Sequence, residues 1–99
     1  MSLIFEWDAN KARINLNKHK VSFEESKTLF NDPLLVTFPD ERHSDTEERF
    51  ISIGTSAHRR ILLVVHTDRK ETSGNMIIRI ISCRKATPYE RKTYEKDKY

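Results

Sequence analysis

The stretch Met76 to Glu90, MIIRIISCRKATPYE, decides the fold, because an apolar strand with one arginine in its middle runs directly into a capped helix. Side chains alternate between the two faces of a strand. On a regular strand Ile77, Arg79, Ile81, Cys83 and Lys85 point one way, and Met76, Ile78, Ile80, Ser82 and Arg84 point the other. Arg79 is then flanked by apolar neighbours on its own face, where a guanidinium is costly unless it meets an anion or a ring of acceptors. That partner is either structural or a phosphate. Downstream, Thr87 reads as an N-cap, Pro88 as the first helical residue, and Glu90 as the glutamate that completes a capping box.

Working back from this stretch, Ile61 to His66 is a nearly continuous apolar run, as expected of a central strand covered on both faces. Arg49 to Gly54 alternates like a half-buried strand, Thr55 to Arg59 makes a turn, and Asp68 to Asn75 reads as a polar loop. Pro39 to Glu48, PDERHSDTEE, reads as a solvated connection preceded by a strand over Leu34 to Phe38. Ser22 and Glu25 form a second capping box, which opens a helix that turns Phe23, Ser26, Leu29 and Phe30 toward a core. Asn31, Asp32 and Pro33 end it, since a residue before proline avoids helical geometry. Asp8 caps a helix over Ala9 to His19, and Leu3 to Trp7 is a short first strand. The order β, α, α, β, β, β, β, α with short later connections predicts an α+β fold over residues 1–99. In it an antiparallel sheet packs with two N-terminal helices and a C-terminal helix over Tyr89 to Tyr99.

Ninety-nine residues suit one domain. No apolar run approaches the roughly 20 residues that span a bilayer, and MSLIFEWD lacks the features of a signal peptide, so a cytoplasmic protein is expected. The single Cys83 cannot form an internal disulfide. Charge is uneven: residues 1–50 hold 7 Lys/Arg against 10 Asp/Glu, a net of −3, while residues 51–99 hold 11 against 5, a net of +6. Clustered cations raise the local concentration of phosphate, so this asymmetry points to a polyanion or an acidic partner.

The segments FEWDANKARINLNKHKVSFEES, LFNDP, FPDERHSDTEERFISIG, LLVVHTD and IRIISCRKATPYERKTYE, in that order, resemble the BrnT toxins of BrnT/BrnA toxin–antitoxin systems. The resemblance implies a RelE-like fold, a ribonuclease that arrests translation, and neutralisation by a BrnA-like antitoxin with a ribbon-helix-helix region, through which alone operator DNA is reached. A homodimer or a toxin–antitoxin heterotetramer is left open. Where the family commonly has a glycine after the histidine that ends the first helix, this chain has Lys20, and Cys83 stands where a small residue such as alanine is usual. A binding module of the same fold, catalytically silent and holding RNA or an acidic protein, is the alternative.

Cleaving RNA without a metal requires the 2′-hydroxyl to attack the adjacent phosphorus, with a proton acceptor, a proton donor for the leaving oxygen, and cations for the developing charge. Arginine suits the last task because its fork of donors fits phosphate oxygens. Arg79 and Arg84 are the first candidates, although on a regular strand they face opposite ways. His66, which closes the central strand, is the expected acid or base, and Glu48 is a candidate base. Lys85, sharing the parity of Arg79, and Arg49 are expected RNA contacts. His19 reads either as an RNA contact or as a cation at a helix C-terminus, and Tyr94 as RNA contact, partner contact or packing. No cofactor is expected. No metal is expected either, since His43 and Asp45 form the only close His/carboxylate pair in a loop.

Overall fold

In a computed structural model, which describes residues 2–43 and 47–96, the chain follows the expected order. β1 (Leu3–Glu6) leads into α1 (Ala9–His19) and α2 (Phe23–Lys27), which a 3-10 turn over Thr28–Asn31 prolongs. Then come β2 (Val36–Pro39), a second 3-10 turn over Glu41–His43, β3 (Arg49–Thr55), β4 (Ile61–Lys70), β5 (Met76–Lys85) and α3 (Pro88–Lys96). The caps form as the sequence dictates. Asp8 accepts from the Lys11 N–H, Ser22 from that of Glu25, and Thr87 from that of Glu90, whose own carboxylate accepts from the Thr87 N–H. Residues 97–99, expected to end the last helix, and Asp45 of the His43/Asp45 pair lie outside the described residues.

The five strands are ordered β1-β5-β4-β3-β2. The sheet is antiparallel with one correction, since β1 runs parallel to β5, pairing Ile4 with Ile77 and Glu6 with Arg79. No turn joins these two strands, so hairpin geometry does not dictate their direction. A second correction concerns Asp68 to Lys70, which extend β4 rather than forming a loop. They pair with Ile78, Ile77 and Met76 across the ladder, and that backbone pairing overrides their polar composition.

The third correction decides which residues meet. Val65 pairs with Ser82, yet the next residue, His66, pairs with Ile80. Ile81 is therefore an extra residue in β5, a bulge that reverses the alternation of the strand. Ile80 and Cys83 consequently enter one core with Leu62, Val64, Val21, Phe23 and Leu29 under α1 and α2. Ser82 and Arg84 turn to the opposite face, which Arg79 already occupies on the other side of the bulge. That face carries a smaller core of Ile53, Leu63 and Tyr94, with α3 packed against its β3 side.

β1 covers only the first part of the β5 edge, so the backbone beyond the bulge needs another partner. Buried Asn15 on α1 provides it: its amide donates to the Cys83 carbonyl at 2.8 Å and accepts from the Cys83 N–H at 3.1 Å. The same amide donates to Val21. Lys20, the residue after α1, adopts φ 60°, the left-handed conformation for which glycine is the low-strain choice. Cys83 itself is buried, and burial pushes its thiol up to about 12. No helix among the described residues is long and apolar enough to cross a membrane.

Replacing the side chain that closes the β5 edge leaves buried backbone groups unpaired. Asn15→Ala is expected to lower the unfolding free energy by about 3 kcal/mol in a urea titration, whereas a loss below ~1 kcal/mol would show that the edge is satisfied without it.

Candidate functional site

The face bearing Arg79 and Arg84 is an open sheet surface whose residues fall in registered rows. Arg49, Thr67, Arg79 and Glu6 lie side by side across β3, β4, β5 and β1. The next row is Phe38, Ile51, Val65 and Ser82, followed by Val36, Ile53, Leu63 and Arg84. Ile51, Val65 and Leu63 form the apolar floor of a groove of about 540 Å³, with Asp40, Arg42, Arg84 and Glu90 among its walls. Arg79 and Arg84 pair with Thr67 and Leu63, four positions apart on β4, so they stand ~13 Å apart along the strand.

Each guanidinium on this face is held differently. Arg84 makes a bidentate pair with Glu90, at 2.8 and 2.9 Å, yet keeps 39% of its side chain exposed. The Arg84 hydrogen bonds hold the Glu90 carboxyl at about 2, far below its usual 4.5, with further help from the Thr87 N–H it accepts. A carboxylate so strongly held is a weak base and a good positioning partner. Arg79 is 44% exposed and 3.6 Å from Glu6, whose same oxygen lies 3.3 Å from Arg69. One carboxylate thus serves two arginines, and the row remains cationic. Arg49 pairs with Glu47 at 3.3 Å.

Arg79, Arg84 and Arg49 therefore share one face of the sheet, and exposed Glu48 precedes Arg49 where the chain enters β3. The other expected residues go elsewhere. His66 projects to the opposite face and is 1% exposed. Its Nδ1 is 2.7 Å from Asp68 Oδ1 and its Nε2 is 2.7 Å from Ser52 Oγ, which in turn contacts the Thr37 hydroxyl. With the ring neutral, Nδ1–H donates to the carboxylate, Ser52 donates to Nε2, and Thr37 donates to Ser52. Phe30 packs edge-on and Phe50 stacks against the ring. This is the environment of a satisfied core histidine.

Tyr94 is likewise 1% exposed, its hydroxyl held by Thr55 and Asp32, so it anchors α3 to the sheet and presents no ring to a ligand. Lys85 lies beyond the bulge and so loses its parity with Arg79; it lines a separate hollow with Arg59 and Arg91. His19, half-buried at the end of α1, lines a small depression with Lys11, Ile14 and Lys18 beside Ile81 and Ser82. Two contributors escaped the sequence reading. Glu90 was legible as a cap but not as the carboxylate on Arg84, and Asp40 carried no signal that would separate it from the surrounding polar run.

Glu90 has a folded pKa below its ordinary value, so its pair with Arg84 stabilises the protein above pH ~4.5 and this contribution is lost as pH falls toward 2. Between those limits the wild type is expected to lose ~1 kcal/mol more stability than Glu90→Gln, a figure reduced for solvent screening and read by urea unfolding at each pH. Removing the buried imidazole has a larger effect, because it opens a cavity and leaves the Ser52 hydroxyl and the Asp68 carboxylate without their ring partner. His66→Ala is expected to destabilise the fold by ~3 kcal/mol; an unchanged unfolding midpoint would refute the structural assignment.

Comparison with known proteins agrees with this fold. Residues 7–90 match the family described as the ribonuclease toxin, BrnT, of type II toxin–antitoxin systems. The crystal structure of the Brucella abortus ribonuclease toxin, BrnT, is similar to this chain with a TM-score of 0.61 at 22% sequence identity, covering 88% of this chain and 99% of that one. At that identity the likeness speaks for the fold alone. A search of curated proteins gives no match. With the family match spanning most of the sequence, the chain belongs to the BrnT family of ribonuclease toxins of type II toxin–antitoxin systems.

Proposed function

We propose that this chain is a metal-independent endoribonuclease of RelE-like type that acts in the cytoplasm, arrests translation by cutting RNA, and is held inactive by a BrnA-like ribbon-helix-helix antitoxin. The observation that carries this reading is the placement of three guanidinium groups, Arg49, Arg79 and Arg84, on one open sheet face of a ribonuclease-toxin family member. Guanidinium forks are suited to phosphate, and at Arg84 the weak hydration of the apolar floor strengthens the charge-assisted hydrogen bond. Arg79 and Arg84 stabilise the charge that develops at phosphorus, with Arg49 as a neighbouring contact.

In the step itself the 2′-oxygen forms a bond to phosphorus and the bond from phosphorus to the 5′-oxygen breaks. The 2′-hydroxyl proton passes to a base, and the departing 5′-oxygen takes a proton in turn. Glu48 is assigned as the base because it is exposed and precedes Arg49 in the chain, whereas Glu90 is tied to Arg84. His66 leaves the catalytic set, since it is sealed on the far side of the sheet.

Purified protein is expected to cleave RNA in the presence of a chelator, and its induction to stop growth. Arg79→Ala, Arg84→Ala and Glu48→Gln should each lower the cleavage rate by about 100-fold or more while the fold, followed by circular dichroism, survives. Wild-type protein that binds RNA but leaves it intact, and is harmless on induction, would favour the silent binding module instead.

A further inference from the structure

Beyond the groove lies a second cationic hollow, of about 300 Å³, lined by Arg59, Arg60, Ile61, Lys85, Ala86 and Arg91. Four of its six lining residues are cations and none is acidic. Arg60 is turned inward, where its guanidinium hydrogen-bonds the buried Glu25 carboxylate. Arg91 is only loosely engaged, 3.9 Å from Glu95 and more than half exposed. Arg59 and Lys85 are exposed and form no ion pair among the described residues.

Arg59 also holds φ 62° in the turn between β3 and β4, a left-handed conformation that glycine or asparagine adopts with less strain. Gathering unbalanced cations around one hollow, and seating one of them on a strained backbone, both cost stability. A bound anion offsets the first cost. The location indicates which anion. Lys85 directly follows Arg84 but turns to the other side of β5, and Arg91 directly follows Glu90, so the hollow lies round the joint between β5 and α3 from the groove.

We infer that this hollow is a phosphate-binding exosite for single-stranded RNA that leaves the groove and bends round the joint between β5 and α3, with Arg59, Lys85 and Arg91 taking backbone phosphates outside the cleaved linkage. The inference rests on the groove being an RNA site. None of the lining residues is aromatic, so the contribution is to the backbone and independent of sequence; it grows with RNA length and weakens with salt.

The test compares the affinity of the full chain for RNA oligonucleotides of four and sixteen nucleotides, by fluorescence anisotropy over a salt series. Wild type should bind the longer RNA more tightly. The double variant Arg59→Gln with Arg91→Gln should lose roughly tenfold of that gain, and its plot of log affinity against log salt for the longer RNA should flatten by roughly 1.4, the loss of two phosphate contacts. An unchanged length gain and slope in a variant that melts normally would overturn the exosite and leave the groove assignment standing. Wild type that binds neither RNA would overturn both. Binding of an acidic peptide that the variant loses, with RNA binding untouched, would reassign the hollow to an acidic partner and also overturn the inference.

Discussion

One inserted residue in β5 sets the relation between core and surface. Without Ile81 as an extra member of the ladder, a strand that buries Ile78 and Ile80 under the helices would carry Ser82 and Arg84 into the same apolar layer and expose Cys83 beside Arg79. The bulge exchanges these roles. Cys83 completes the core under α1 and α2, while both arginines reach the open face. β1 stops short of this part of the strand, and the Asn15 amide closes the edge by pairing both polar groups of Cys83 as a neighbouring strand would. Core packing and the cationic face are thus two consequences of one local irregularity.

The second organising element is the joint between β5 and α3. Glu90 accepts from the Thr87 backbone at the helix start and from both terminal nitrogens of Arg84 at the end of the strand. A single carboxylate therefore fixes where the helix begins and how the guanidinium plane is presented. Tyr94, one turn further on, pins the same helix to β3 and to Asp32. Because α3 is held at two points, the groove keeps a defined wall although the helix is short and largely polar.

The elements themselves were legible because their signals are local. Two capping boxes, an Asp N-cap and runs of alternating or continuous apolar residues placed every helix and strand in order. Face assignment was less so, since alternation is reliable only while a strand is regular, and nothing in MIIRIISCRK marks the bulge. Arg79, read as a charge that needs an anion, stands on the open face beside Glu6. The position of His66 was misread for a related reason: its place at the end of an apolar run suggested a strand terminus, but β4 continues through Asp68 to Lys70, so the histidine lies mid-strand under Phe30. Tyr94 looked ambiguous because a short polar helix gives little periodicity, and its role is set by Asp32 and Thr55, which are distant in sequence.

Cys83 carries a consequence of its own. It is the only thiol in the chain, it is sealed by the helices, and burial disfavours the thiolate through which sulfur reacts. Alkylating reagents can therefore reach it only when α1 and its asparagine lift away from the strand. The sulfur is a natural clock for that opening: its labelling rate reports how often the helical layer parts from the sheet, without any engineered reporter.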